Sequence, residues 1–204
     1  MIALYHSPRT RSVRVLWLLE ELGLPYELHT LAFSPDSLKG ADYLKINPLG
    51  KVPTITDGAL TMFESGAIVE YLLERYGDGR LAPKVGTPAR GTFLQWIHFA
   101  EATCLPPLSD LAQHTIFKPE GERIAAVVPD AQARIAGWLA VLERALAGQQ
   151  YLLGDDLTGA DVMVGYSLLL AKWFGLLAES SYPSLGAYVA RLEQRPALQK
   201  ALSA

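Results

Sequence analysis

Strand-like patterning fills the first 80 residues of this 204-residue chain and is absent from the rest. A single layered architecture does not switch in this way, so the sequence predicts two unlike parts, one α/β and one all-α. Residues 2–5 and 26–31 read as strands, and residues 13–22 (VRVLWLLEEL) carry apolar side chains at helical spacing up to Gly23. Residues 37–46 form a weaker helical pattern that Asn47-Pro48 ends, because the residue before a proline is pushed out of the helical region. Residues 52–56 and 60–63 flank Asp57-Gly58, a hairpin signal, and residues 65–76 read as a helix closed by Gly77. The expected order over residues 1–80 is therefore βαβαββα. Residues 81–88, with Pro83, Gly86 and Pro88, read as a linker. Residues 89–204 hold long apolar-periodic segments at 89–105, 124–146, 160–177 and 185–192, with Pro106-Pro107 expected to kink or end the first. Trp96, Phe99, Trp138, Trp173 and Phe174 are expected in the core of this helical half.

Composition removes several function classes. The net charge is −3 and no basic run is present, which argues against a nucleic-acid or anionic-membrane binder. A lone cysteine, Cys104, leaves no disulfide framework and no Cys-x-x-Cys pair, and it is expected to be a buried small hydrophobe. His6, His29, His98 and His114 lack metal-ligand spacing, so no metal is expected. The charge-free apolar stretch 162–171 falls well short of the roughly 20 residues that span a bilayer. The N-terminus shows no signal-peptide order. A cytoplasmic, soluble protein is the expectation.

Three segments carry possible chemistry. In Asn47-Pro48-Leu49-Gly50-Lys51-Val52-Pro53, a proline stands where a strand begins and removes a ladder hydrogen bond. A cis Val52–Pro53 bond would make a bend that turns the Val52 N–H and C=O outwards, towards an extended peptide ligand; a plain loop-to-strand turn is the other reading. Ser65 reads as the N-cap of its helix, where unpaired N–H groups suit a carboxylate, and Glu64 beside it suits an ammonium. The pair fits an α-amino acid terminus, or is simple capping. In Ser7-Pro8-Arg9-Thr10-Arg11-Ser12-Val13-Arg14, three arginines crowd the positive end of the first helix, an arrangement an anionic ligand relieves. A solvated basic turn paired with surface acids remains the alternative. Thr158-Gly159-Ala160-Asp161 fits a capping box that opens a core helix.

Taken together, SPRTRSVRVLWLLEELGLPYE, NPLGKVPTI, FESGAIVEYL and TGADVM resemble the cytosolic glutathione S-transferases over essentially the whole chain. The resemblance implies an N-terminal thioredoxin-like domain, a C-terminal helical bundle, and a homodimer with glutathione sites between the domains. It implies glutathione as co-substrate and a small hydrophobic electrophile as acceptor, in a detoxifying transferase. It places the family's cis-proline on Pro53, with Val52 pairing to the cysteinyl part, the γ-glutamyl grip on Glu64 and Ser65, and the glycyl carboxylate near Lys51 and Lys39. For thiol activation it offers Tyr5, Thr10 or Ser12, with Arg11 stabilising the thiolate; Thr10 is the first choice. The acceptor wall is expected from residues 89–105 and the turn after Tyr5. Two other functions stay open, a glutathione-dependent disulfide reductase or peroxidase and a non-catalytic interaction module.

Overall fold

The computed structural model describes every residue except Glu179. Two compact units result, one made of Met1–Ala82 with Glu193–Ala204, the other of Pro83–Leu192.

The first unit contains β1 (Ile2–His6), α1 (Ser12–Leu22), β2 (Tyr26–Thr30), α2 (Pro35–Leu38), α3 (Ala41–Ile46), β3 (Thr54–Asp57), β4 (Leu60–Phe63) and α4 (Ser65–Tyr76). Its sheet runs β2-β1-β3-β4, with β2 parallel to β1 and the other neighbours antiparallel. This is the expected thioredoxin-like βαβαββα order, with one helix more than foreseen. The pattern at 37–46 is broken at Gly40, whose ψ of 142° takes the chain out of the helix between α2 and α3. Alternation along β1 buries Ile2, Leu4 and His6 and leaves Ala3 and Tyr5 half-buried. Leu4 and Ile55, paired across β1 and β3, are fully buried, as are Val15, Leu16 and Leu19 of α1 and Ile68, Val69 and Leu72 of α4.

The second unit is all-helical among its described residues. It comprises α5 (Pro88–Phe99), α6 (Leu105–Ala112), α7 (Val127–Ala145), α8 (Gly159–Trp173) and α9 (Pro183–Glu193), the last of which ends one residue inside the first unit. Pro106-Pro107 does not end the first of these segments. The chain passes from α5 through a π-helical stretch, Ala100–Cys104, into α6, so both prolines fall in the first turn of α6 and cost it little. Cys104 is buried, as are Trp96 and Trp138, but Trp173 is 47% exposed and so does not join the core. The Thr158–Asp161 capping box forms at the start of α8. A second, non-local cap holds α9. Both oxygens of Glu143 in α7 accept the Ser184 and Leu185 N–H groups, each at 2.9 Å.

Residues 193–204, grouped with the helical half in the sequence reading, form α10 (Pro196–Ser203), which packs on α1 of the first unit. Arg195 bonds both carboxylate oxygens of Glu21 at 2.5 and 2.7 Å, and Lys200 meets Glu20 at 2.7 Å. Among the described residues no helix is long and apolar enough to cross a membrane.

Candidate functional site beside α4

The loop between α3 and β3 is shaped by a small polar network. Asn47, at the end of α3, donates through Nδ2 to the Lys51 carbonyl (2.7 Å) and Thr54 Oγ1 (3.0 Å) and accepts the Leu49 N–H on Oδ1. The Tyr43 hydroxyl also donates to the Lys51 carbonyl, at 2.6 Å. The carbonyl of residue 51 is thus turned inwards while the Lys51 side chain stays exposed. Gly50 completes the turn at φ +55°, and a Cβ there would meet the Leu38 carbonyl oxygen at 2.4 Å, so only glycine fits. Lys39 reaches the outside of the same turn and donates to the Leu49 carbonyl at 2.6 Å.

The Val52–Pro53 peptide bond is cis. The β1–β3 ladder begins at Tyr5–Thr54, and among the described residues Val52 takes no backbone partner. Of the two readings, the bend is the one observed.

At α4 the expected cap is corrected. Ser65 is the first helical residue and not the N-cap. Glu64 occupies that position at φ +76° and ψ 107°, and no side chain caps the helix there. A glutamate in the left-handed region costs of order 1–3 kcal/mol, and such residues cluster at functional sites because surrounding structure holds them there. The Ser65 hydroxyl is engaged from beneath, where Arg14 Nη1 donates to Ser65 Oγ at 3.2 Å.

The turn before α1 closes on itself. The Thr10 hydroxyl lies 2.7 Å from the Ser7 carbonyl, to which it donates, and 2.8 Å from Ser12 Oγ. Ser12 Oγ also lies 2.8 Å from His6 Nδ1 and accepts the Ser7 N–H at 3.1 Å. Burial pushes the His6 imidazole below its ordinary pKa, against a weaker upward pull from the Ala204 backbone, and so favours the neutral ring. Arg9, at φ +61°, is a second non-glycine residue in the left-handed region.

These segments meet around a small, open depression. Of the residues singled out in the sequence, Arg11, Lys51, Val52, Pro53, Glu64 and Ser65 line it. Asn47, Leu49 and Phe63 line it too, none of which the sequence assigns a role in binding. Tyr5, Thr10, Ser12 and Lys39 are not among the lining residues. Tyr5 instead stacks on His29, with ring centroids 4.8 Å apart, and leans on Tyr43. Ser12 is fully buried. The lining offers two cations, one carboxylate and the first turn of a 12-residue helix with no acidic residue in that turn. Such a set suits a small molecule with two carboxylates and one ammonium. Among the described residues no group of His, Cys, Asp or Glu is placed to hold a metal.

Comparison with known proteins gives the same direction. Residues 1–74 match the family model described as the glutathione S-transferase N-terminal domain, and residues 114–204 match the corresponding C-terminal domain. A glutathione S-transferase-like protein of Beauveria bassiana is 33% identical over 98% of this chain and 93% of its own. Among solved structures, a glutathione transferase from Phanerochaete chrysosporium in complex with oxidized glutathione superposes with a TM-score of 0.88 at 30% identity, covering 99% of this chain and 94% of the other. A glutathione transferase from Burkholderia graminis with two glutathione molecules per subunit superposes with a TM-score of 0.89 at 28% identity, covering 100% and 88%.

Proposed function

The chain belongs to the glutathione S-transferase family, and on that premise we propose that it binds glutathione in the depression beside α4 and transfers the thiolate to a small hydrophobic electrophile. The observation that carries this reading is the distribution of charge around the depression. Glu64 and Ser65 stand together at the start of α4, and the cations Arg11 and Lys51 also line the depression. The γ-glutamyl group then lies on Glu64 and Ser65, its ammonium on the carboxylate and its carboxylate on the hydroxyl and helix start. The cysteinyl part pairs with the Val52 backbone, and the glycyl carboxylate lies towards Lys51, with Lys39 behind the same turn.

A thiol with a pKa near 8.5 is only about 3% ionised at pH 7, and lowering that pKa by one unit raises the fraction to roughly a quarter. Arg11 is the candidate cation for this effect, because it is the member of the first turn that lines the depression. Thr10 and Ser12 enter the reading as supports of the turn, since their hydroxyls bond to one another. Catalysis by thiolate stabilisation and proximity needs no covalent intermediate on the protein. The same proposal includes a cytoplasmic homodimer.

Calorimetric titration tests the reading. Glutathione is expected to bind the wild-type protein, and Ser65→Ala is expected to weaken binding about tenfold, the worth of one hydrogen bond to a charged group. No heat at millimolar glutathione would discard the reading in favour of a non-catalytic module, while unchanged affinity in Ser65→Ala would remove that residue from the site.

A second reading has support of its own. The Phanerochaete neighbour holds oxidized glutathione and the Burkholderia neighbour holds two glutathione molecules. A pocket able to place two sulfurs together suits reduction of a glutathionylated disulfide. Faster turnover of such a disulfide than of a chloronitrobenzene-type electrophile would favour the reductase.

A further inference from the structure

We propose that His6 is a positioning residue: through a proton on Nδ1 it sets a one-way chain of hydrogen bonds across Ser12 and Thr10 into the Ser7 carbonyl, and so holds the turn that brings Arg11 to the glutathione sulfur. The inference rests on the glutathione reading above and deepens it.

The first observation is a turn that needs holding. Arg11 stands at the N-cap of α1 with helical backbone angles, and no side chain caps the helix there. Arg9, in the same turn, sits at φ +61°, a conformation that surrounding structure must impose on an arginine. The second observation is the group that meets this turn from β1. Alternation along that strand sends Ile2, Leu4 and His6 inwards, and His6 is fully buried. An apolar residue would fill that position without taking two ring nitrogens out of water.

Following the protons through the turn fixes the state of the ring. A hydroxyl has one proton and two lone pairs. Ser12 Oγ accepts the Ser7 N–H at 3.1 Å, and Thr10 Oγ1 accepts the Ser12 N–H at 3.3 Å. Thr10 gives its one proton to the Ser7 carbonyl at 2.7 Å, the shortest bond of the turn. That carbonyl also lies 3.1 Å from Ser12 Oγ, but it is already served. The Thr10 and Ser12 hydroxyl oxygens are 2.8 Å apart, so the proton between them is Ser12's. Ser12 has none left for His6 Nδ1, which is also 2.8 Å away, and the ring itself supplies that proton. The opposite tautomer would draw Ser12's proton to the ring and leave Thr10's to serve two oxygens at once. Nε2 does not compete for the proton: among the described residues it reaches no partner at hydrogen-bond geometry, and the Ala204 backbone pulls on the ring only weakly. Each bond of such a chain polarises the next, so one imidazole stiffens the whole turn. Both hydroxyls keep their protons within the turn, and Arg11 is the member of it that lines the depression.

The test reads the thiolate fraction of bound glutathione at neutral pH, by its ultraviolet absorbance, on the full-length protein. Calorimetry with S-methylglutathione, which has no thiol to ionise, reports separately on the integrity of the site. His6→Phe keeps a ring and removes the donor; the thiolate fraction is expected to fall about fivefold, the worth of one hydrogen bond, with S-methylglutathione affinity unchanged. His6→Asn, whose amide places an N–H where Nδ1 stood, is expected to recover most of the loss. A thiolate fraction unmoved in His6→Phe overturns the proposal. So does a fall that His6→Asn leaves unrepaired, because a role in packing alone follows the ring and not the N–H. A matching loss of S-methylglutathione affinity marks a general collapse of the site and overturns it as well. Should His6→Phe not fold, the wild-type ring decides: proton–nitrogen correlation spectra must place the ring proton on Nδ1, and a proton on Nε2 overturns the proposal. Wild-type protein that binds neither ligand overturns the glutathione reading and this inference together, whereas binding with an unmoved thiolate fraction in His6→Phe overturns this inference alone.

Discussion

Asp161→Ala is expected to destabilise the helical unit by roughly 3–5 kcal/mol, the range seen when a buried, fully engaged charged group is removed. Its carboxylate is fully buried at the start of α8 and accepts four hydrogen bonds. The donors are the Leu152 N–H at 2.9 Å, the Thr158 N–H and hydroxyl at 2.8 Å each, and the Tyr188 hydroxyl at 2.9 Å. One side chain thereby ties the loop before α8, the α8 N-terminus and α9 together. Burial raises the carboxyl pKa, and the four donors pull it part of the way back. Alanine would strand all four donors in a region with little water access, and each stranded donor costs about 1–3 kcal/mol where it cannot relax. Against a total stability of roughly 5–15 kcal/mol this is a large share. Urea unfolding followed by circular dichroism measures it, and a loss under about 1 kcal/mol would show that the cap is incidental.

That anchor was readable in Thr158-Gly159-Ala160-Asp161, because a capping box is a local device whose parts sit three residues apart. Elements with clean periodicity were equally readable; Leu60–Phe63 and Ser65–Tyr76 fall where the pattern placed them. What the sequence concealed has identifiable physical causes. The π-helical stretches at Ala100–Cys104 and Gln113–Phe117 insert extra residues per turn, a change that a 3.6-residue period cannot register. The positive φ of Glu64 is imposed by its surroundings, since glutamate has no preference for that region. The bonding of Thr10 to Ser12 and of Ser12 to His6 depends on how the turn folds back on β1, which the spacing of these residues does not show. Asn47 looked like a helix stop because its polar network closes only when β3 brings Thr54 alongside. Arg14 did carry a signal: a cation inside Val13-Arg14-Val15-Leu16-Trp17 stands on the buried side of its helix, and only a polar partner elsewhere in the fold accounts for it.

The C-terminal segment offers the other large effect, and it separates chain order from structural membership. Truncation after Leu192 is expected to destabilise the first unit, whose depression beside α4 lies more than a hundred residues earlier in the chain. In α10, Leu198 is fully buried and Ala201 nearly so, and both belong to the unit built on α1. Losing Leu198 alone costs about 2–5 kcal/mol if its site collapses as poorly as other core leucines do. Losing Arg195 leaves Glu21 as a nearly buried carboxylate that keeps the Trp17 indole N–H as a donor at 2.8 Å. Lys200 likewise departs from Glu20, which keeps the Tyr26 hydroxyl as a partner. The exposed half of this network is worth little, but the Glu21 end is shielded enough for its loss to count. Leu198→Ala is the gentler version of the same experiment and should reproduce a large part of the loss without shortening the chain. Hydrogen exchange distinguishes the outcomes by location. Protection should fall in α1 and the sheet strands, and glutathione affinity should fall with it. Loss of protection confined to α8 and α9 would mean that α10 supports the helical unit, as its place in the chain order had suggested.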